Sequence, residues 1–92
     1  MKKIHINSNF MTGRNTLHFV YLEEGKDYLL ECLKQVEKSE NVVIVDQQKM
    51  DIYPDIEIAV NNIDYYFLPE RLATVMKDED VLSVSPLTLG GG

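Results

Sequence analysis

The spacing of apolar residues along this 92-residue chain switches from strand period to helix period once and then switches back, which leaves few folds open. Over residues 3–11, Ile4, Ile6 and Phe10 alternate with His5, Asn7 and Asn9, the pattern of a half-buried strand. Residues 12–15 (TGRN) form a turn cluster in which Gly13 takes positive φ cheaply. Residues 16–23 (TLHFVYLE) are rich in β-branched and aromatic side chains and read as a second strand. The short connection makes residues 3–23 an antiparallel hairpin. Leu29, Leu30, Leu33 and Val36 then recur at helical spacing with Cys32 at the edge of the stripe, while Asp27, Glu31, Lys34, Gln35 and Lys38 collect opposite. Gly25 or Asp27 caps the start of this helix and Asn41 stops it.

Beyond the helix the strand period returns. Residues 42–45 (VVIV) suit a short buried strand, and residues 46–51 are polar and read as a loop. Ile56, Ile58 and Val60 alternate with Glu57 and Ala59, and Asn61-Asn62 makes a two-residue hairpin turn into residues 63–67. Residues 68–77 are irregular or weakly helical, broken early by Pro69. Residues 78–80 (DED) are an acidic turn, and residues 81–85 (VLSVS) are a final strand halted by Pro86. The order is ββαβββ, with room for a further short strand at 42–45. One helix cannot cover both faces of a sheet, so the class is α+β with the helix on one side. Placing the first and last strands parallel at the sheet centre satisfies the connection rules, which is the β-grasp arrangement. The expected organisation is a β-grasp domain over residues 1–86 and a tail over residues 87–92.

Composition narrows the function classes. The net charge is −6, from 9 Lys and Arg against 15 Asp and Glu. Residues 1–50 are neutral overall, so residues 51–92 carry all of that charge. This argues against binding nucleic acid or a membrane through a basic surface. A partner steered by charge would be basic and would meet the C-terminal half, although such a charge also serves solubility alone. No apolar run approaches the ~18 residues that cross a bilayer, and the first residues, MKKIHI, lack the apolar stretch of a signal peptide. A single cysteine excludes an internal disulfide and a four-cysteine metal site. The expected compartment is the cytoplasm.

The chemical feature lies at the other end. Five glycines occur in the chain, and three of them are Gly90, Gly91 and Gly92. An α-carboxylate on Gly92, with a pKa of about 3.3–3.7, is ionised at cellular pH. It is inert as an acyl donor until a partner joins it to a leaving group such as AMP. A narrow segment without Cβ atoms threads an enclosed site, and Leu87 and Leu89, alternating with Thr88, supply apolar anchors just upstream.

The stretch DEDVLSVSPLTLGGG over residues 78–92 resembles the end of the ubiquitin-like sulfur-carrier proteins, which include the molybdopterin synthase small subunit, the thiamine-pathway sulfur carrier and the ubiquitin-related modifier. The shared features are an acidic turn before Val81, a short strand, a proline at Pro86 and a terminal Gly91-Gly92. Val60-Asn61-Asn62-Ile63 is similar to the group's hairpin, and residues 27–36 to its helix. The chain departs from the pattern at Glu79 and Asn62, where turn glycines are common, in a longer insert over residues 40–55, and in its third glycine, Gly90. The resemblance implies that Gly92 is adenylated with ATP by a ubiquitin-activating-type enzyme. It then becomes a thiocarboxylate for cofactor biosynthesis or tRNA thiolation, with a synthase or sulfurtransferase as a further partner. Alternatively, its acyl group passes to a cysteine and onward to a lysine, making the chain a protein modifier. Gly90, Gly91, Leu89 and Leu87 would be the threading segment. The chain would bind no cofactor of its own and would not be an enzyme. A third reading is a β-grasp interaction module whose glycines have no chemical role.

Other side chains carry plainer readings. Cys32, beside the apolar stripe, is expected to pack as a small hydrophobe rather than serve as a thioester relay. His5 and His18 lack an obvious third metal ligand, and residues 78–80 lack calcium-loop spacing and read as a solvated turn. Tyr65 and Phe67 would share a strand face and enter the core. If Leu17, Phe19 and Tyr21 face the helix, Val20 and Leu22 face outward beside His5 as a docking patch for the activating enzyme. In the opposite register the aromatics take that role.

Overall fold

The computed structural model describes residues 1–10 and 17–87; the turn cluster at 12–15 and Leu89, Gly90, Gly91 and Gly92 lie outside the described residues. The elements are β1 (Lys2–Ser8), β2 (Phe19–Leu22), α1 (Leu29–Glu40), β3 (Val45–Asp46), β4 (Asp51–Ile52), β5 (Ile56–Val60), β6 (Ile63–Asp64) and β7 (Val81–Pro86). Two single 3₁₀ turns, Tyr65–Phe67 and Arg71–Ala73, separate β6 from β7. The main sheet has the order β2-β1-β7-β5-β6, with β1 and β7 parallel at its centre and the other pairs antiparallel. Helix α1 covers one face through Leu29, Cys32, Leu33 and Val36, all buried. This is the expected α+β, β-grasp architecture.

The sheet's inner face follows from cross-strand register. Ile4 pairs with Val20 and Ile6 with Leu82, while Val84 pairs with Ile58 and Leu82 with Val60. These aliphatic side chains stand on the helix side and are buried there. Each contributes about 1.5–3 kcal/mol relative to exposure. The Asn61-Asn62 hairpin is present, with φ of 51° and 69°, the doubly left-handed geometry that suits the twist of the paired strands.

The N-cap lies one residue beyond Asp27 and three beyond Gly25, the two expected caps. Tyr28 holds the N-cap position without a side-chain cap. The Leu29 amide is instead satisfied by the Thr74 carbonyl at 2.8 Å, and the Asp27 carbonyl accepts from the Met76 amide at 2.8 Å. A backbone bridge thus replaces the side-chain cap. Asp27 turns its carboxylate to Lys2 Nζ at 2.6 Å, and Gly25, at φ 84°, serves the turn before the helix. Asn41 ends the helix as expected, left-handed at φ 55°.

Three segments differ from the expected strands. Residues 42–44 precede β3 rather than forming a strand, because the Glu37 carboxylate takes the Ile44 and Val45 amides at 2.7 and 3.0 Å. Strand β3 then pairs with β4 in a separate two-stranded sheet, so of the expected loop over residues 46–51, Asp46 and Asp51 are paired strand residues and 47–50 are a hairpin turn. Strand β6 stops at Asp64, whose side chain accepts from the Tyr66 amide at 2.9 Å and starts a 3₁₀ turn. Leu68, before Pro69, is held extended and closes that turn. Tyr65 alone enters the core, hydrogen-bonded through its hydroxyl to Asp51 at 2.7 Å, and Phe67 is 80% exposed.

Candidate functional site

Strand β7 runs from the acidic turn to the tail along the middle of the sheet. Its start is braced by Asp78, Glu79 and Asp80, whose polar groups are largely spent on the protein itself. Asp78 accepts from the Lys3 amide at 2.8 Å and Asp80 from the Lys77 amide at 2.7 Å. Asp80 also accepts from Asn61 Nδ2 at 2.8 Å, while Asn61 Oδ1 takes the Val81 amide at 2.9 Å. The acidic turn is therefore a staple joining β1, the β5–β6 hairpin and β7 rather than a merely solvated turn. Among the described residues no group of three or more metal-ligating side chains converges.

The far end of β7 leads to Leu87, the last of the described residues. Ile56 stands opposite Pro86, and the Leu87 amide donates to the Asp55 carbonyl at 2.7 Å. Leu87 itself is 36% exposed. The sequence beyond it reaches Gly90, Gly91 and Gly92.

The face of the sheet away from α1 carries an apolar and a polar part. Phe19, Tyr21 and Val81 are exposed there at 41%, 52% and 39%. Lys3 Nζ stands 4.1 Å from the Phe19 ring centroid, and the His5 ring meets Phe19 edge-on at 5.3 Å. His5 Nε2 lies 2.5 Å from Glu79 Oε2, which fixes the imidazole beside the aromatic pair. Nearer the tail, Asn7, Asn9, Ser83 and Ser85 border a shallow polar groove. His5 thus lies on the open face as expected. Val20 and Leu22 do not: they pair with Ile4 and Lys2 on the helix side and are buried. The aromatic register holds instead. The hydrocarbon side chains suit the dry interior, while the Tyr21 hydroxyl needs water. Both alternations of β2 are apolar, so parity along that strand alone did not decide its faces; the pairing with Ile4 did.

The remaining candidates are structural. Cys32 is fully buried, and burial pushes its thiol up to about 12, so no thiolate forms at cellular pH. His18 is exposed and stands edge-on to Phe19, 6.4 Å between centroids, and among the described residues no ligand set surrounds it. No helix among the described residues is long and apolar enough to cross a membrane.

No family model matches this sequence, and no curated protein matches it. Similarity appears among solved structures. The chain is similar to the small archaeal modifier protein 1 (SAMP1) from Methanosarcina acetivorans, with a TM-score of 0.71 and 17% identity over 99% of this chain and 98% of that one. It is similar to the Haloferax volcanii HVO 2177 protein, with a TM-score of 0.70 and 16% identity over 98% of this chain and 87% of the other. It is also similar to Urm1 from Trypanosoma brucei, with a TM-score of 0.58 and 21% identity over 95% of both chains. At these identities the likeness is one of fold. It establishes the ubiquitin-like β-grasp architecture over nearly the whole chain.

Proposed function

We propose that this protein is a ubiquitin-like sulfur carrier: Gly92 is adenylated by a ubiquitin-activating-type partner and converted to a thiocarboxylate. The observation that carries this reading is the course of β7. A strand paired on both sides at the centre of the sheet leads directly to a Leu-Thr-Leu-Gly-Gly-Gly segment, so a well-anchored scaffold is joined to a slim acyl donor. The partner supplies ATP and catalysis. A Gly92 carboxylate oxygen attacks the α-phosphorus, pyrophosphate leaves, and a sulfide equivalent then displaces AMP from the acyl carbon. Gly90 and Gly91 are the threading segment, with Leu87 and Leu89 as apolar anchors upstream. Phe19, Tyr21, Val81 and His5 form the docking face for the activating enzyme, and the charge of −6 favours a basic partner surface.

A second reading is conjugation to lysines through the same carboxyl group, and the structural likeness to the small archaeal modifier protein 1 favours it. Intact mass separates the two. Incubation with an activating enzyme from the same genome, ATP and a sulfur source yields, for a carrier, a product heavier by the replacement of one oxygen by sulfur. A modifier yields conjugates in which Gly92 is joined to a lysine of another protein. A chain left at its original mass under both conditions excludes both.

A further inference from the structure

The end of β7 is held unevenly. On one flank, pairing with β1 ends at Ser8 opposite Val84, with the Asn9 amide donating to the Val84 carbonyl at 3.1 Å. On the other flank pairing continues further, through Glu57 opposite Ser85 and Ile56 opposite Pro86. Its last bond runs from the Leu87 amide to the Asp55 carbonyl at 2.7 Å. Leu87 supplies this donor, so the N–H missing from Pro86 is not needed on that rung.

The acceptor belongs to a turn built to stand still. The Ile56 amide donates to the Tyr53 carbonyl at 3.1 Å, closing a β-turn with Pro54 at its second position, where the fixed φ of proline is already correct. The Tyr53 amide donates in turn to the Ile44 carbonyl at 2.9 Å. The Ile44 and Val45 amides are held by Glu37 of α1 at 2.7 and 3.0 Å. A chain of hydrogen bonds thus runs from the helix, through the Pro54 turn, to the residue from which the tail departs.

We propose that the Pro54 turn is a positioning latch that fixes Leu87 and thereby sets the length of tail available to the activating enzyme. This rests on the carrier or modifier reading above, since only a tail that must reach a distant site has a length that matters. Five residues follow Leu87 to Gly92, and fully extended they span at most about 17 Å. If the latch opens, Pro86 and Leu87 join them, and seven residues reach at most about 24 Å. A held Leu87 keeps the number of residues to be ordered on threading small, and each additional residue ordered carries an entropic cost. The latch therefore trades reach for affinity. Pro54 and Asp55 act through Leu87 and touch no reacting atom.

Four chains test this: wild type, Pro54→Gly, a deletion of Thr88, and both changes together. Pro54 is exposed, so its replacement leaves the core untouched. The first readout needs no enzyme: amide hydrogen exchange at residue 87 in the full chain. Leu87 is expected to be protected in wild type and to exchange freely in Pro54→Gly; an unprotected wild-type Leu87 overturns the latch. The second readout is ATP–pyrophosphate exchange by the activating enzyme. Pro54→Gly should raise KM at least about tenfold with kcat unchanged, as expected when two more residues must be ordered. Deleting Thr88 should lower exchange at least about tenfold by shortening the reach, and adding Pro54→Gly should restore most of it. A purely structural turn predicts no such rescue, so a double variant as weak as the deletion alone overturns the latch. If wild type supports no exchange at all, the carrier and modifier readings fail, and the length-setting role fails with them; Leu87 protection still reports whether the turn holds the strand end.

Discussion

Two pairs of side chains show how single residues hold the scaffold in place. Asp27 bonds Lys2 Nζ at 2.6 Å, which ties the segment before α1 to the first residue of β1. That hydrogen bond, opposed by burial, holds the Asp27 carboxyl below its usual range. A depressed carboxylate stabilises the fold above its unfolded-state pKa, and this contribution is lost as pH falls through the lower folded-state value. Melting temperature followed against pH should therefore drop for wild type below about pH 4. In Asp27→Asn the melting temperature should be lower at neutral pH and the acid decline shallower. The two asparagines of the β5–β6 turn both have positive φ, yet they should answer differently to glycine. Asn62→Gly relieves a left-handed backbone at no visible cost in contacts and should leave stability unchanged or raise it by about 0.5–1 kcal/mol. Asn61→Gly gives the same relief but loses the bonds to Asp80 and the Val81 amide, a net loss of about 1 kcal/mol. Urea denaturation of the two variants reads the difference.

At the scale of elements, β2 and β7 divide the work. Strand β7 carries the tail, and β2 presents Phe19 and Tyr21 on the open face beside His5. Aromatic side chains of this kind dominate binding energy when a partner covers them. Phe19→Ser should weaken docking to the activating enzyme by about 1–2 kcal/mol, seen as a raised KM, while melting temperature falls little because the ring is half in water. Val20→Ser is the control: it should unfold the chain more readily, because this side chain lies under α1. Helix α1, the β1–β2 pairing, the asparagine hairpin and the last strand were all legible in the sequence, because each has a strong period or a turn residue with a local mechanism. The face of β2 was not, because Leu17, Phe19 and Tyr21 alternate with a second apolar set at Val20 and Leu22. Nor was the end of β6. Tyr65-Tyr66-Phe67 has high strand propensity, but the Asp64 side chain and the extended residue before Pro69 turn it into a 3₁₀ segment. The Glu37 carboxylate acts in the same way on residues 42–45, offering the backbone a partner that no sequence period reveals.

For the whole molecule, the excess of acids and the glycine-ended segment fall in the same half of the sequence. The eight acids of residues 51–92 against Arg71 and Lys77 make that half the source of the full −6. Encounter with a basic activating enzyme should then be faster at low ionic strength. Stopped-flow association rates should fall several-fold between about 0.01 and 0.15 M salt, where the Debye length shrinks from roughly 30 to 8 Å. The topology was readable because one helix and five strand signals leave few ways to cover a sheet. The proposed chemistry rests on three consecutive glycines at positions that lie outside the described residues. What the sequence did not reveal is the bracing: the acidic turn as a staple, and the Pro54 turn against Leu87, depend on long-range contacts. The proposed role of this scaffold is to offer the carboxyl group of Gly92 to a partner's nucleotide site. It is tested most directly by labelling with α-labelled ATP in the presence of activating enzymes from the same genome. Label should appear as an acyl-adenylate on the wild-type chain and be absent from a chain lacking Gly91 and Gly92; equal labelling of the two, or none on wild type with any of those enzymes, would contradict it.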